Sequence, residues 1–231
     1  MKLAELNVQA AARSGTSLRS VHIENLVIAG WTGRDRAALE KHIRELKELG
    51  VARPTATPIF YRVSAALLTT APRIDVIGTD SSGEVEFVLF ALEDGLWVGI
   101  GSDHTDRKAE TIGVTLSKQM CAKPVAPMLW RYDEVEDHWD KLMLRSYALE
   151  EGSRRLYQRG SVASMLAPED LIERYCGVGR TLAAGTAMFC GTHAVEGAIR
   201  FACGFAIELE DPVLRRRITH EYAIRGLPVE G

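Results

Sequence analysis

Two apolar runs joined by a tight turn constrain this chain more than any other segment: Ser82-Gly-Glu84-Val-Glu86-Phe-Val-Leu-Phe90, then Glu93-Asp94-Gly95, then Leu96-Trp-Val-Gly-Ile-Gly-Ser-Asp103. Runs this apolar, separated by turn-forming residues, read as a β-hairpin. Side chains alternate faces along a strand, so Glu84 and Glu86 share one side, while Val85, Phe87 and Leu89 set the opposite, apolar pattern. Asp103 adds a third carboxylate where the second strand ends. Burying like charges together costs several kcal/mol or forces protonation, unless a cation sits between them. Hard divalent ions take oxygen ligands of this kind, and the expectation is a Mg²⁺ or Mn²⁺ site, with Ca²⁺ as the alternative.

The rest of the 231 residues, 46% of them hydrophobic, is organised around further short β-prone runs. Residues 3–10 and 18–29 read as strands connected through Ser14-Gly15-Thr16. Asp35 to Leu49 carries Ala38, Leu39, His42, Leu46 and Leu49 at helical spacing, with Gly50 just beyond, and predicts a helix. Residues 1–54 are therefore expected to form an N-terminal hairpin and helix, a lid-like extension, and 55–231 the main domain. In that domain 59–64 and 74–78 read as strands. Residues 106–121 read as a helix burying Ile112, Leu116 and Met120, and 168–175 as a shorter one. The runs 141–148, 186–190 and 200–209 read as strands. Strands outnumber helices in irregular order, which predicts an α+β fold, mostly β, rather than a doubly wound sheet.

A net charge of −3 and a pI near 6.1 provide no field for a nucleic-acid backbone. No apolar run is long enough to span a bilayer, and the N-terminus lacks the continuous apolar segment of a signal peptide, so neither membrane nor secretion is expected and the location reads as cytoplasmic. The four cysteines, Cys121, Cys176, Cys190 and Cys203, form no C-x-x-C pair, which argues against a zinc ribbon or redox motif.

Five motifs in order resemble the fumarylacetoacetate hydrolase superfamily: Phe60-Tyr-Arg62-Val-Ser64, Glu84-Val-Glu86, Asp103-His-Thr-Asp-Arg107, Lys118 ahead of Pro124-Val125, and Gly185-Thr-Ala-Met-Phe-Cys-Gly191-Thr192. The chain also resembles the uncharacterised DUF2848 proteins, as a divergent branch. It departs from the superfamily pattern in the short interval from Glu86 to Asp103, in Arg62 where a lysine is usual, and in His193 where a proline is usual.

The resemblance implies a β-sandwich or roll with flanking helices, and a catalytic domain over 55–231. It implies that Glu84, Glu86 and Asp103 hold the ion, and that Lys118 meets a substrate carboxylate or enolate. Arg62, Ser64, Thr192 and His193 are the implied substrate contacts. His42-Ile-Arg-Glu45 is similar to the superfamily's His-x-x-Glu, a pair at helical spacing three that suits a general base. The activity implied is metal-dependent hydrolysis of a carbon–carbon bond in a small acylpyruvate-like or 1,3-dicarbonyl acid, by a homodimer. Decarboxylation, tautomerisation or hydration of a 2-keto acid uses nearly the same residues, and a non-catalytic binding protein on the same fold is the third reading.

Overall fold

A computed structural model describes residues 4–37, 40, 44, 54–150 and 152–230. Two sheets dominate, as expected of a mostly-β α+β chain. The larger has eight strands in the order Gly15–Ile23, Ala4–Ala12, Met128–Arg131, Gly95–Ser102, Val85–Leu92, Thr186–Phe189, Asn25–Gly30 and Ile59–Val63. The smaller has five: Ser153–Ser161, Met143–Glu150, Gly204–Asp211, Arg216–Leu227 and Arg73–Ile77.

The carboxylate hairpin lies in the middle of the larger sheet, and this explains its composition. Phe87 and Leu89 face the smaller sheet and pack in one cluster with Ile207, Leu209 and Ile218. Val88 and Phe90 face the other way, into a second cluster with Ile28, Leu129 and Phe189. A strand covered on both sides is apolar at nearly every position, which leaves Glu86 conspicuous. The second cluster also gathers Val21 and Ile23 from one edge strand and Val63 from the other, so the larger sheet curls over its own face.

Several sequence expectations are corrected by this topology. The N-terminal residues are not an appendage: Gln9 pairs with Met128, and Asn25–Gly30 lies between Thr186–Phe189 and Ile59–Val63 inside the main sheet. The strand expected over 18–29 is broken at Glu24, where the amides of Glu24 and Asn25 both donate to the carbonyl of Gly185, at 2.8 and 3.1 Å. The chain there leaves one edge of the sheet and re-enters near the other. The helix expected over 106–121 is two short ones, Arg107–Glu110 and Val114–Met120, the first capped by Asp106, whose Oδ1 accepts from the Ala109 amide at 2.8 Å. Ile112, 79% exposed, and Leu116, 49% exposed, face outward, whereas Ser117 and Lys118 are buried. Helical period alone misjudged that face because the buried partner is polar.

The strands Ser153–Ser161 and Arg216–Leu227 escaped notice because arginines interrupt both, on faces open to water. The helix expected over 35–49 falls largely outside the described residues, and His42 and Glu45 lie there. The cysteines are all free; Cys121 and Cys190 are core residues, Cys203 is exposed. Among the described residues no helix is long and apolar enough to cross a membrane.

Candidate functional site

Glu86 pairs with Gly101 across the hairpin ladder, and on its other side the Gly191 amide donates to its Oε2 at 2.7 Å. Both flanking residues are glycines in tight quarters: at Gly101 a Cβ would meet the Phe189 ring at 2.7 Å. Gly191 could not be otherwise: its φ is +98°, and a Cβ there would stand 1.8 Å from the Thr32 hydroxyl oxygen. Glu84 enters the strand just after Gly83, where a Cβ would meet the Tyr222 hydroxyl at 2.7 Å. Asp103 follows the partner strand, its amide donating to the Glu84 carbonyl at 2.9 Å. These local constraints bring carboxylate oxygens of Glu84, Glu86 and Asp103 within 4.8 Å of one another.

Cations surround the cluster unevenly. Lys118 Nζ donates to Asp103 Oδ2 and lies 3.8 Å from Glu84 Oε2. Lys123 Nζ lies 2.8 Å from Asp103 Oδ1. Arg107 contacts Glu84 Oε1 at 3.0 Å and Glu110 at 3.0 Å, and donates to Ser82 Oγ at 2.6 Å. Burial works against the charge on Asp103, but Lys118 and Lys123 overcome it and hold its pKa below the usual carboxylate range. Among the described residues Glu86 has no such direct counterion: burial and the neighbouring charge of Asp103 push its pKa well up, more than Lys118 and the Gly191 amide offset. For Lys118 burial lowers the pKa, and the three carboxylates, Asp103 first, more than reverse that.

Next to Asp103, His104 is fully buried, and its pKa falls to about 3 through burial and the charges of Lys123 and Arg107. Its ring is held by Tyr222 at Nδ1, 3.1 Å, and Ser81 at Nε2, 2.9 Å. Tyr222 is tied in turn to Ser102, hydroxyl to hydroxyl at 2.8 Å.

The other sequence-derived candidates divide. Thr192 is adjacent to Gly191, but its hydroxyl donates to the Val85 carbonyl at 2.7 Å and accepts from Gln158 at 2.7 Å, so it is occupied in tying strands together. The His193 ring covers Gly160, with Nδ1 3.2 Å from Ser164 Oγ. Ser64 Oγ caps a short 3₁₀ turn, and its amide donates to Gln119 at 2.9 Å. Arg62 is exposed and binds Asn25 at 2.6 Å and the Tyr175 hydroxyl at 3.0 Å. Alternation along Ile59–Val63 instead turns Tyr61 to the carboxylate side, with Lys118 Nζ 6.0 Å from its ring centre.

Residues 29–222 match a family described as a protein of unknown function, DUF2848. The chain belongs to the DUF2848 family. No curated protein matches the sequence. Among solved structures, a candidate fumarylacetoacetate isomerase/hydrolase from Oleispira antarctica aligns with a TM-score of 0.63 at 18% identity, over 96% of this chain and 100% of that one. A candidate fumarylpyruvate hydrolase from Burkholderia cenocepacia aligns at 0.64 and 18%, covering 99% and 94%. A 5-carboxymethyl-2-hydroxymuconate delta-isomerase from Mycobacterium smegmatis aligns at 0.62 and 13%, covering 97% and 100%. This DUF2848 member therefore has the fold of the fumarylacetoacetate hydrolase superfamily.

The donor set of the DUF2848 chain fits a hard divalent cation: three carboxylates converge, and buried Glu86 has an amide but, among the described residues, no ion pair of its own. Sequence reading overlooked Tyr61, Lys123 and Gln158 here. Period-two alternation sets Tyr61 opposite Arg62 without saying which of the two faces the cluster, and a single lysine inside Cys121-Ala-Lys123-Pro-Val125 was a weaker sign for Lys123. Gln158 carried none, since its role is to accept the Val85 amide at 2.9 Å from a strand distant in sequence.

Proposed function

We propose that this DUF2848 protein is a divalent-metal-dependent hydrolase that cleaves a carbon–carbon bond of a small acylpyruvate-like or 1,3-dicarbonyl acid. The observation that carries the reading is the convergence of Glu84, Glu86 and Asp103, with the Lys118 ammonium beside them, on a fold shared with hydrolases of such acids. A bound Mg²⁺ or Mn²⁺ would supply charge stabilisation where negative charge develops on a chelated dicarbonyl.

The chain's own residues supply the remainder. Arg107 fixes Glu84, and the Gly191 amide fixes Glu86, so both carboxylates are oriented before a ligand arrives. Lys118 is buried and protonated, placed to donate to a substrate carboxylate or to the oxygen of the departing enolate. Tyr61 walls that side of the cluster. His42 with Glu45 takes the general-base role on the strength of the motif: it removes a proton from water as the water adds to the carbonyl. The carbon–carbon bond then breaks, giving a carboxylic acid and an enolate that is protonated on release.

The likeness to the Mycobacterium smegmatis delta-isomerase favours a second reading, isomerisation of a 2-keto acid through its enolate with no water added. One experiment separates these. The protein is incubated with Mn²⁺ and a panel of acylpyruvates, oxaloacetate and 2-keto acids, and products are identified by NMR. Hydrolysis yields two acids from one. Isomerisation yields a single compound of unchanged mass, and no turnover of any member of the panel would leave a binding protein.

A further inference from the structure

Lys123 lies on the short strand Lys123–Pro124, paired in parallel with Leu68–Thr69, and its side chain has no solvent exposure. Its Nζ meets two acceptors, Asp103 Oδ1 at 2.8 Å and the His104 carbonyl oxygen at 2.5 Å. The second acceptor is anchored in turn. The His104 ring is pinned by Tyr222 of the smaller sheet and by Ser81, so the peptide presented to Lys123 does not swing.

A buried ion pair is costly to assemble, and an apolar pair of similar volume commonly serves packing as well or better. Packing alone is therefore a poor reason for a lysine at this position. The geometry around Asp103 offers a better one. Lys118 donates to Oδ2 and Lys123 lies 2.8 Å from Oδ1, so the carboxylate is held at each oxygen by a different buried lysine.

Charge adds a second consequence. Glu84, Glu86, Asp103 and Glu110 are faced by Lys118, Lys123 and Arg107, which leaves one positive charge in excess once a divalent cation is bound. Without Lys123 that excess vanishes. A cation behind a ligand carboxylate weakens the carboxylate's hold on a metal and strengthens the attraction of the loaded site for an anion.

We infer that Lys123 is a positioning residue that holds Asp103 at Oδ1 and gives up metal affinity in return for affinity toward an anionic substrate. The inference rests on the divalent-metal reading of the cluster. It assigns the site a preference for substrates carrying at least one carboxylate, set from behind the ligands by a residue that touches no substrate.

Lys123→Gln tests it, because glutamine can still donate to Asp103 and to the His104 carbonyl while the charge is lost; Lys123→Met removes both. Calorimetry on the whole protein measures Mn²⁺ binding, then binding of oxalate to the Mn²⁺-loaded protein, alongside thermal unfolding. For K123Q we expect Mn²⁺ binding at least about tenfold tighter and oxalate binding at least about tenfold weaker, with K123M changing both in the same direction. If K123M does not fold, K123Q decides. A K123Q protein with a lowered Tm and both affinities unchanged, or with weaker Mn²⁺ binding, overturns the inference and leaves the metal site standing. Failure of the native protein to take up Mn²⁺ overturns both.

Discussion

At the scale of single residues, the site turns on the difference between Glu86 and its neighbours. Glu84 has Arg107 and Asp103 has two lysines, whereas buried Glu86 receives, among the described residues, the Gly191 amide alone. Glutamine at this position keeps the amide contact and removes the charge that burial disfavours. We expect Glu86→Gln to leave the unfolding midpoint in urea equal or higher, and to weaken Mn²⁺ binding by about a hundredfold or more, read by calorimetry. Arg62 supplies the contrasting case. Its guanidinium is engaged by Asn25 and Tyr175 on the exposed side of its strand, so Arg62→Ala should change KM for the substrate found by screening by less than about threefold. Lys118→Met, on the helix Val114–Met120 beside the carboxylates, should abolish turnover. The sequence motif identified Arg62 and was silent on which way the strand Ile59–Val63 turns it, because period-two alternation fixes relative and not absolute facing.

At the scale of elements, the segment after Thr186–Phe189 shows how backbone geometry serves the cluster. Gly191 is in the left-handed region, pressed against Thr32, and aims its N–H at Glu86. Alanine there meets both a disfavoured φ and an overlap, and Gly191→Ala should cost about 2–4 kcal/mol in chemical denaturation. The hairpin Val85–Leu92 with Gly95–Ser102 was legible beforehand, since a strand buried on both faces writes an unbroken apolar run. The helices at 107–120 were legible as helical and wrong in their buried face. Lys118 and Ser117 are drawn inward by charge and hydrogen bonding, forces to which a hydrophobic period is blind.

For the whole molecule, two half-buried histidines set part of the acid limit. His193 and His220 both have pKa values lowered by burial, so the folded state binds fewer protons than the unfolded chain once pH falls below the ordinary imidazole value of about 6.5. Stability is complete above that pH and declines as pH falls. A double variant His193→Asn, His220→Gln should show a flatter urea midpoint between about pH 6.5 and 5. Association of two copies is expected as well, as the family resemblance implied. The hairpin strand from Glu86 to Phe90 is covered on both faces within the chain, whereas Ile199 and Phe201 are exposed apolar side chains, 47% and 56% accessible. Sedimentation velocity at micromolar concentration should show a dimer, and Phe201→Glu should shift it to monomer.

The sequence by itself determined the fold class, the hairpin and the three carboxylates, because each is expressed locally, in an apolar run, a turn or a charge where charge is expensive, whereas Lys118 came from the resemblance to a family. It also carried the pairing of His42 with Glu45 as a motif. Only the tertiary structure decided that the N-terminal strands belong to the main sheet, that Arg62 faces away while Tyr61 faces in, and that Lys123 stands behind Asp103. Those facts depend on which distant strands pair and which face they cover, and pairing between segments far apart in the chain leaves no periodic trace in either one. The hairpin announces a cation, and the residues that would set how tightly it is held come from elsewhere in the chain.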